Sequence, residues 1–222
     1  MSMSRLLVSW SSGKDSAWML HRLRQDSQWQ LAGLVSTVNA RRERVAMHGV
    51  RETLLERQAR AAGLPVWRVP LPEPCPNREY ERAMGELVDR AVAAGVTHMA
   101  FGDLYLEDVR QYRENQLAGT GIEPVFPLWG ADTAQLAREM IAGGLEATIV
   151  CLDPARMPPG TAGRPFDGAF LAALPAGVDP CGENGEFHTF CHAGPMFREP
   201  VAVETGRTVQ RDGFLFADLL PG

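Results

Sequence analysis

Lysine is almost missing from this chain of 222 residues: of its 22 basic residues, Lys14 alone is lysine. The others are arginine, a drift that a GC-rich genome encourages. The one retained lysine therefore marks a place where a compact ammonium is needed, because the two cations are not equivalent at a phosphate. Long apolar runs are lacking as well, and nothing approaches the about 18 residues of a membrane span. Leu6-Leu7-Val8 is too short an apolar core for a secretory signal, so a cytoplasmic location is expected. Paired cysteines are absent: Cys75, Cys151, Cys181 and Cys191 are scattered without a C-x-x-C, which excludes a disulfide framework. Cys181, His188, Cys191 and His192 are zinc-binding types, but their spacing fits no usual finger. Basic excess is missing too, and a net charge of −5 disfavours a nucleic-acid partner.

Strand-like and helix-like runs alternate from residue 5 to about 152. Strands are expected at 5–10, 31–38, 66–69, 98–101, 124–128 and 147–152, with helices at 14–24, 50–62, 77–94, 106–117 and 132–142. Gly63-Leu64-Pro65, Gly95 and Gly143-Gly144 act as stops. This pattern predicts an α/β fold: a doubly wound, mostly parallel sheet with helices on both faces. After Asp153 the texture turns to proline and glycine, with a helix over 166–174 and a terminal hairpin turning at Gly206 and Asp212-Gly213. The expected division is 1–152 for the sheet domain and 153–222 for a small α+β appendage.

Ser11-Ser12-Gly13-Lys14-Asp15-Ser16 lies at the first strand-to-helix turn, where free helix N–H groups point out of the sheet's carboxyl edge. Gly13 permits close approach, and the serine hydroxyls add donors. The helix end is worth about 0.3–1 kcal/mol toward an anion. A lysine about 4 Å from a phosphate contributes roughly 4 kcal/mol at an effective dielectric of 20, so Lys14 should dominate. Asp15 would repel a polyphosphate unless Mg²⁺ lies between them, which implies a metal–nucleotide complex. A serine-capped helix start is the competing reading. The spacing fails the G-x-x-x-x-G-K-[ST] loop. It is similar to the S-G-G-x-D-S loop of the N-type ATP pyrophosphatases, with Ser12 in place of the first glycine.

Further segments narrow the resemblance: Met47-His48-Gly49-Val50-Arg51, Phe101-Gly102-Asp103 through Arg110, Pro127-Leu128-Trp129-Gly130, and Gly182-Glu183-Asn184-Gly185-Glu186-Phe187-His188-Thr189. With the first loop, they make residues 5–200 resemble the diphthine–ammonia ligase family and its bacterial relatives. The resemblance implies a Rossmann-like (HUP-type) domain followed by a smaller one. It also implies an enzyme that forms an amide from a carboxylate, ATP and ammonia through an acyl-adenylate, releasing AMP and pyrophosphate.

In an open α/β sheet, ligands collect beyond the carboxyl ends of the strands. Ser11, Ser12, Gly13, Lys14, Asp15, Ser16, His48 and Gly102 are therefore the expected ATP contacts, and Asp15 and Asp103 the Mg²⁺ side. Asp103 has a helix N-cap as its competing reading. Glu183, Glu186 and His188 are expected to bind ammonium and move its proton, with Asn184 and Thr189 beside them. Arg51, Glu107 and Arg110 are expected at a charged substrate, although Glu107, Arg110 and Glu114 equally suit a solvated, salt-bridged face. The start Met1-Ser2 carries no cysteine nucleophile, so free ammonia or a partner would supply nitrogen. A homo-oligomer is expected. A tRNA-modifying loop enzyme and a nucleotide-sensing module remain alternatives; the first would want a basic surface, the second would not need the 183–189 cluster.

Overall fold

A computed structural model describes residues 3–222; the Met1-Ser2 start lies outside the described residues. The chain runs β1 (Ser4–Ser9), α1 (Lys14–Arg24), β2 (Trp29–Asn39), β3 (Arg44–Val45), α2 (Glu52–Ala62), β4 (Val66–Leu71), α3 (Asn77–Ala93), β5 (His98–Ala100), α4 (Glu107–Leu117), β6 (Glu123–Val125) and α5 (Thr133–Ala142). Then come β7 (Glu146–Leu152), α6 (Gly168–Ala172), β8 (Phe187–Ala193), β9 (Val203–Arg211) and β10 (Phe214–Pro221). The first sheet is parallel across β4-β2-β1-β5-β6, as the alternation predicts.

The continuous apolar run of β1 follows from burial on both faces. Leu6, Val8 and Trp10 join α1, α2 and α5 in one core, while Leu7 joins Val35, Val69, Met99 and α3 in the other. The α2 stop works as expected. Gly63 takes a φ of 64°, and Leu64 N–H reaches back to the Ala59 carbonyl, closing the helix end.

Two features escaped the periodicity. β2 is 11 residues long and overshoots β1, whose pairing ends at Ser9 with Val35. The overshooting Val38 and Asn39 pair antiparallel with β3, on the edge opposite β4. This carries the Met47–Val50 turn over the carboxyl end of β1. The strand expected at 147–152 is present but does not join the parallel sheet. β7 pairs antiparallel with β8 and β10 in a second sheet ordered β8-β7-β10-β9. A strand buried on both faces reads as parallel from its apolar run alone. Here β7 is buried because its residues share the cluster of α1, α5, Phe166 and Phe170. The terminal hairpin forms with its turn at Asp212-Gly213, both at positive φ, but β9 runs straight through Gly206.

The two sheets are locked together around Gln58, a polar residue in the apolar stripe of α2 that is wholly buried. Its Oε1 accepts from Trp10 Nε1 at 3.0 Å, and its Nε2 donates to the carbonyls of Ser12 at 3.0 Å and Cys191 at 2.6 Å. A leucine fits the stripe but leaves the Trp10 Nε1 donor buried without its partner and takes one hydrogen bond each from the Ser12 and Cys191 carbonyls, the first of which keeps the Cys191 N–H. At about 1–3 kcal/mol for an unsatisfied buried group, Gln58→Leu is expected to lower unfolding stability by ~1–3 kcal/mol in urea titration. A loss under about 0.5 kcal/mol would refute this role.

Candidate active site

The carboxyl ends of β1, β2 and β5 and the second sheet enclose a cavity of ≈ 570 Å³. Ser11, Lys14, Asp15, Ser16, His48, Gly102, Asp103, Glu183, His188 and Thr189 all line it. The first loop is not a serine-capped helix. The N-cap of α1 is Gly13, which has no side chain of its own to cap the helix. Ala17 N–H makes the first intrahelical bond, to Gly13 O at 3.1 Å, so the N–H groups of Asp15 and Ser16 have no carbonyl within the helix. An uncapped helix start facing a cavity is an anion-binding arrangement.

Ser12 shows why glycine suits its position. Its φ is 72° and its side chain is completely buried, with a hydroxyl lacking any hydrogen-bond partner. Left-handed backbone at a non-glycine residue costs about 1–2 kcal/mol. The Ser12 carbonyl, which accepts from Cys191 N–H at 2.9 Å as well as from Gln58, holds it there. Gly13 instead has an ordinary φ of −88° and is needed for space: a Cβ would stand 2.9 Å from His48 Cε1 and 3.2 Å from the Thr189 carbonyl.

Lys14 is 2% exposed. Its ammonium donates to both Asp15 carboxylate oxygens at 2.8 Å and to the Cys181 carbonyl, and it lies over the Phe166 and Phe187 rings. Burial acts to lower its pKa, but Asp15 and the other nearby acidic groups outweigh that and raise it. Lys14 N–H donates to Thr189 Oγ1 at 3.0 Å, and the Thr189 carbonyl accepts from His48 Nδ1 at 3.1 Å. That bond keeps the His48 proton on Nδ1 and turns Nε2 outward as an acceptor. The His48 and His188 rings are 4.7 Å apart. Burial, then the charge of the other imidazole, pushes His48 down to about 3; burial, then Lys14, pushes His188 down to about 4. Both are neutral at pH 7.

Glu183 is brought near neutrality. Burial raises its pKa to about 7, reinforced by Asp15 and Asp103, against the hydrogen bond that Leu104 N–H donates to Oε1 at 2.7 Å. Asp103 is not a helix cap, since the N-cap of α4 is Leu106. Its Oδ2 is buried without a hydrogen bond and faces Arg113 Nε at 3.7 Å. Burial raises its pKa, and Arg113 works against that rise.

Other expected site residues stand outside the cavity. Glu186 is fully buried and takes Arg156 Nη2 at 2.8 Å, Asp179 N–H at 3.1 Å and Asn184 Nδ2 at 3.2 Å, which makes it a hub of its loop. Asn184 is exposed. Arg51 is paired with Asp218 on β10 at 2.5 Å, beside Arg44, tying α2 to the hairpin. Arg110 bonds Glu114 at 2.8 Å and stacks over Phe126 and Trp129, and Glu107 is exposed, so this face is the salt-bridged surface rather than part of the cavity. Trp129 likewise lies away from it. Sequence reading passed over Gln58, which a lone amide in an apolar helical stripe could have revealed. It placed Arg113 only near the Glu107–Glu114 face as one of several groups for a charged substrate; the structure sets Arg113 in the cavity and Arg110 outside it.

No group of three His, Cys, Asp or Glu side chains that could hold a metal occurs among the described residues, which removes the zinc reading. The Cys181 thiol, raised to about 12 by burial, is protonated. The donor set does suit Mg²⁺, which commonly takes one or two carboxylates and completes its shell with phosphate oxygens and water. Asp103 has an unengaged buried oxygen, and Asp15 lies across the lysine.

A parallel α/β sheet whose first turn presents an uncapped helix start, a lysine and two carboxylates to one cavity defines a PP-loop, Rossmann-like fold. The chain belongs to the diphthamide synthase family: the model for the Diphthamide synthase N-terminal domain matches residues 4–123, and that for the Diphthamide synthase C-terminal domain matches residues 132–216. Proteins named diphthine–ammonia ligase are similar to it. The Rattus norvegicus protein is 32% identical over 118 residues, covering 50% of this chain and 44% of the relative. The Danio rerio protein is 30% identical over 122 residues (50% and 46%), and the Homo sapiens protein 30% over 118 residues (50% and 44%). The chain spans less than half the length of these curated relatives. No helix among the described residues is long and apolar enough to cross a membrane.

Glu183 supplies a test of the site's electrostatics. Its folded pKa, about 7, lies above the ordinary 4.5, so the folded state holds the proton more tightly. Rising pH therefore erodes stability between those two values, and above pH 7 the fold carries a buried charge. Glu183→Gln keeps the acceptor for Leu104 and removes that charge. Its unfolding midpoint should exceed the wild type's by several degrees at pH 8 and match it at pH 5. Equal gains at both pH values would show that Glu183 is not held neutral.

Proposed function

We propose that the chain is an ATP-dependent carboxylate–ammonia ligase that works through an acyl-adenylate and releases AMP and pyrophosphate, like the ligases its relatives are named for. The observation carrying this reading is the meeting of the uncapped loop at Lys14 with Glu183 in one cavity. The loop suits a polyphosphate. A carboxylate with a pKa near 7 in the same cavity as two neutral imidazoles suits proton removal from an amine.

The reaction class divides the work between the two halves of the site. In the first half, a carboxylate oxygen bonds to the α-phosphorus of ATP, and the bond to the bridging oxygen breaks with pyrophosphate carrying off the electron pair. The N–H groups of Asp15 and Ser16 hold phosphate oxygens there and the charge of Lys14 attracts them, with Ser11 and His48 at the wall. Asp15 and Asp103 would hold Mg²⁺, which when bound neutralises phosphate charge. In the second half, ammonia attacks the acyl carbon, AMP departs, and Glu183 takes the proton that nitrogen sheds. His188 accepts a hydrogen bond as a neutral imidazole.

Burial raises the thiols of Cys181 and Cys191, so neither supplies the thiolate that a thiolating tRNA enzyme would use. The acceptor is a carboxylic acid, small or protein-borne.

ATP–pyrophosphate exchange screened against carboxylate pools, followed by product analysis, tests the proposal. Exchange that depends on one acid, with AMP and its amide formed on adding ammonium, is expected; ADP as the sole nucleotide product would sink it. Glu183 divides the half-reactions further. At constant free ammonia, turnover should rise with pH through about 7 as the carboxylate ionises. Glu183→Gln should lose that limb and roughly 10²–10⁴-fold in amide formation, while retaining acid-dependent exchange. Loss of both half-reactions together would count against its role as the base.

A further inference from the structure

The cavity holds two strongly basic side chains, and they are not equivalent. The three donors of Lys14 are engaged by Asp15 and the Cys181 carbonyl. Arg113, reaching in from α4, makes no hydrogen bond among the described residues, and its Nε is buried without a partner. Its nearest carboxylate oxygen, Asp103 Oδ2, is 3.7 Å away, beyond the about 2.7–2.9 Å of a charge-assisted hydrogen bond. The guanidinium is nevertheless held in place. It lies over Phe101 at 5.1 Å and near Tyr112 at 6.0 Å, contacts that orient a planar cation without using its donors. A rigid guanidinium with its fork unengaged is built for a planar, two-oxygen anion.

The surroundings describe that anion's body. Leu71, Tyr80, Met84, Met99 and Phe101 line the same cavity from β4, α3, β5 and the residue after it. The start of α3 also meets the cavity at Asn77 without a side-chain cap, but the loop that adds a lysine to its free N–H groups is at the start of α1. One anion served by the loop and a second cation in an apolar wall imply two different anionic groups.

We propose that Arg113 is the receptor for the carboxylate of the acid substrate, and that the wall of α3, β4 and β5 selects acids with an apolar body. This rests on the carboxylate-activating reading above. It adds that substrate charge is recognised at Arg113 and not at Lys14. Seating a carboxylate there also draws the guanidinium away from Asp103, leaving Asp103 for the metal side of the site.

Saturation-transfer NMR on the full chain tests this with a panel of aliphatic and aromatic monocarboxylates, each paired with its uncharged amide. Binding of a non-hydrolysable ATP analogue with Mg²⁺ is measured alongside. The wild type should bind at least one acid about tenfold more tightly than its amide. Arg113→Gln should erase that preference and leave nucleotide affinity within about twofold, and Arg113→Lys, which keeps the charge but not the fork, should restore part of it. A thermal melt like the wild type's shows that the fold is intact.

An acid preference surviving in Arg113→Gln would overturn the proposal. So would loss of nucleotide affinity in that variant, which would assign Arg113 to phosphate, or the lack of any acid preference in the wild type. Arg113-dependent acid binding without acid-dependent ATP–pyrophosphate exchange would leave the subsite standing and remove the ligase reading. Exchange indifferent to Arg113 would do the reverse.

Discussion

The site depends on the docking of one strand edge onto one turn. β8 lends the N–H of Cys191 to the Ser12 carbonyl and the hydroxyl of Thr189 to the first N–H of α1, while the Thr189 carbonyl takes the His48 proton. These bonds are buried, where an unmade polar contact is costly. They hold Ser12 in a left-handed conformation that its own side chain disfavours. The loop's shape is therefore imposed by the second sheet. Neither half of the chain could present the same surface alone.

That docking also sets the charges. Thr189 and the Phe187 ring close over Lys14, and burial in the shared wall depresses both imidazoles while it raises Glu183. A lysine kept charged, two histidines kept neutral and a glutamate near neutrality are what a cavity needs if it is to hold polyphosphate at one end and receive a proton at another. Water-exposed copies would keep the lysine charged, but the histidines would titrate close to neutrality and the glutamate would be fully ionised. Exclusion of solvent by the second sheet therefore does chemical as well as structural work.

The polar groups outside the cavity divide cleanly by what they touch. Glu186 and Arg51 have the composition of site residues, yet their partners are Arg156, the Asp179 backbone and Asp218. They hold the cavity's walls in place, so their replacement would act on the site at a distance. Arg113 is the opposite case: a residue in an ordinary-looking run of charges on α4 whose partners are a ring face and a distant carboxylate.

Sequence alone determined the parallel sheet, because its strands are buried on both faces and its helices are amphipathic, patterns that local order imposes. It also pointed to the phosphate loop: a lone lysine after Gly13, at the first strand-to-helix turn, is legible without a partner. Tertiary structure decided the rest. β7 carries the same apolar run whether its neighbours are parallel or antiparallel, so only pairing could assign its sheet. Ser12 reads as a departure from a glycine pattern until its φ and its bonds to Gln58 and Cys191 are seen. Glu183 and Glu186 are three residues apart and chemically alike. One faces the cavity with its pKa raised to about 7 and the other is tied into its loop, because long-range burial and hydrogen-bond partners, which no local pattern encodes, set the difference.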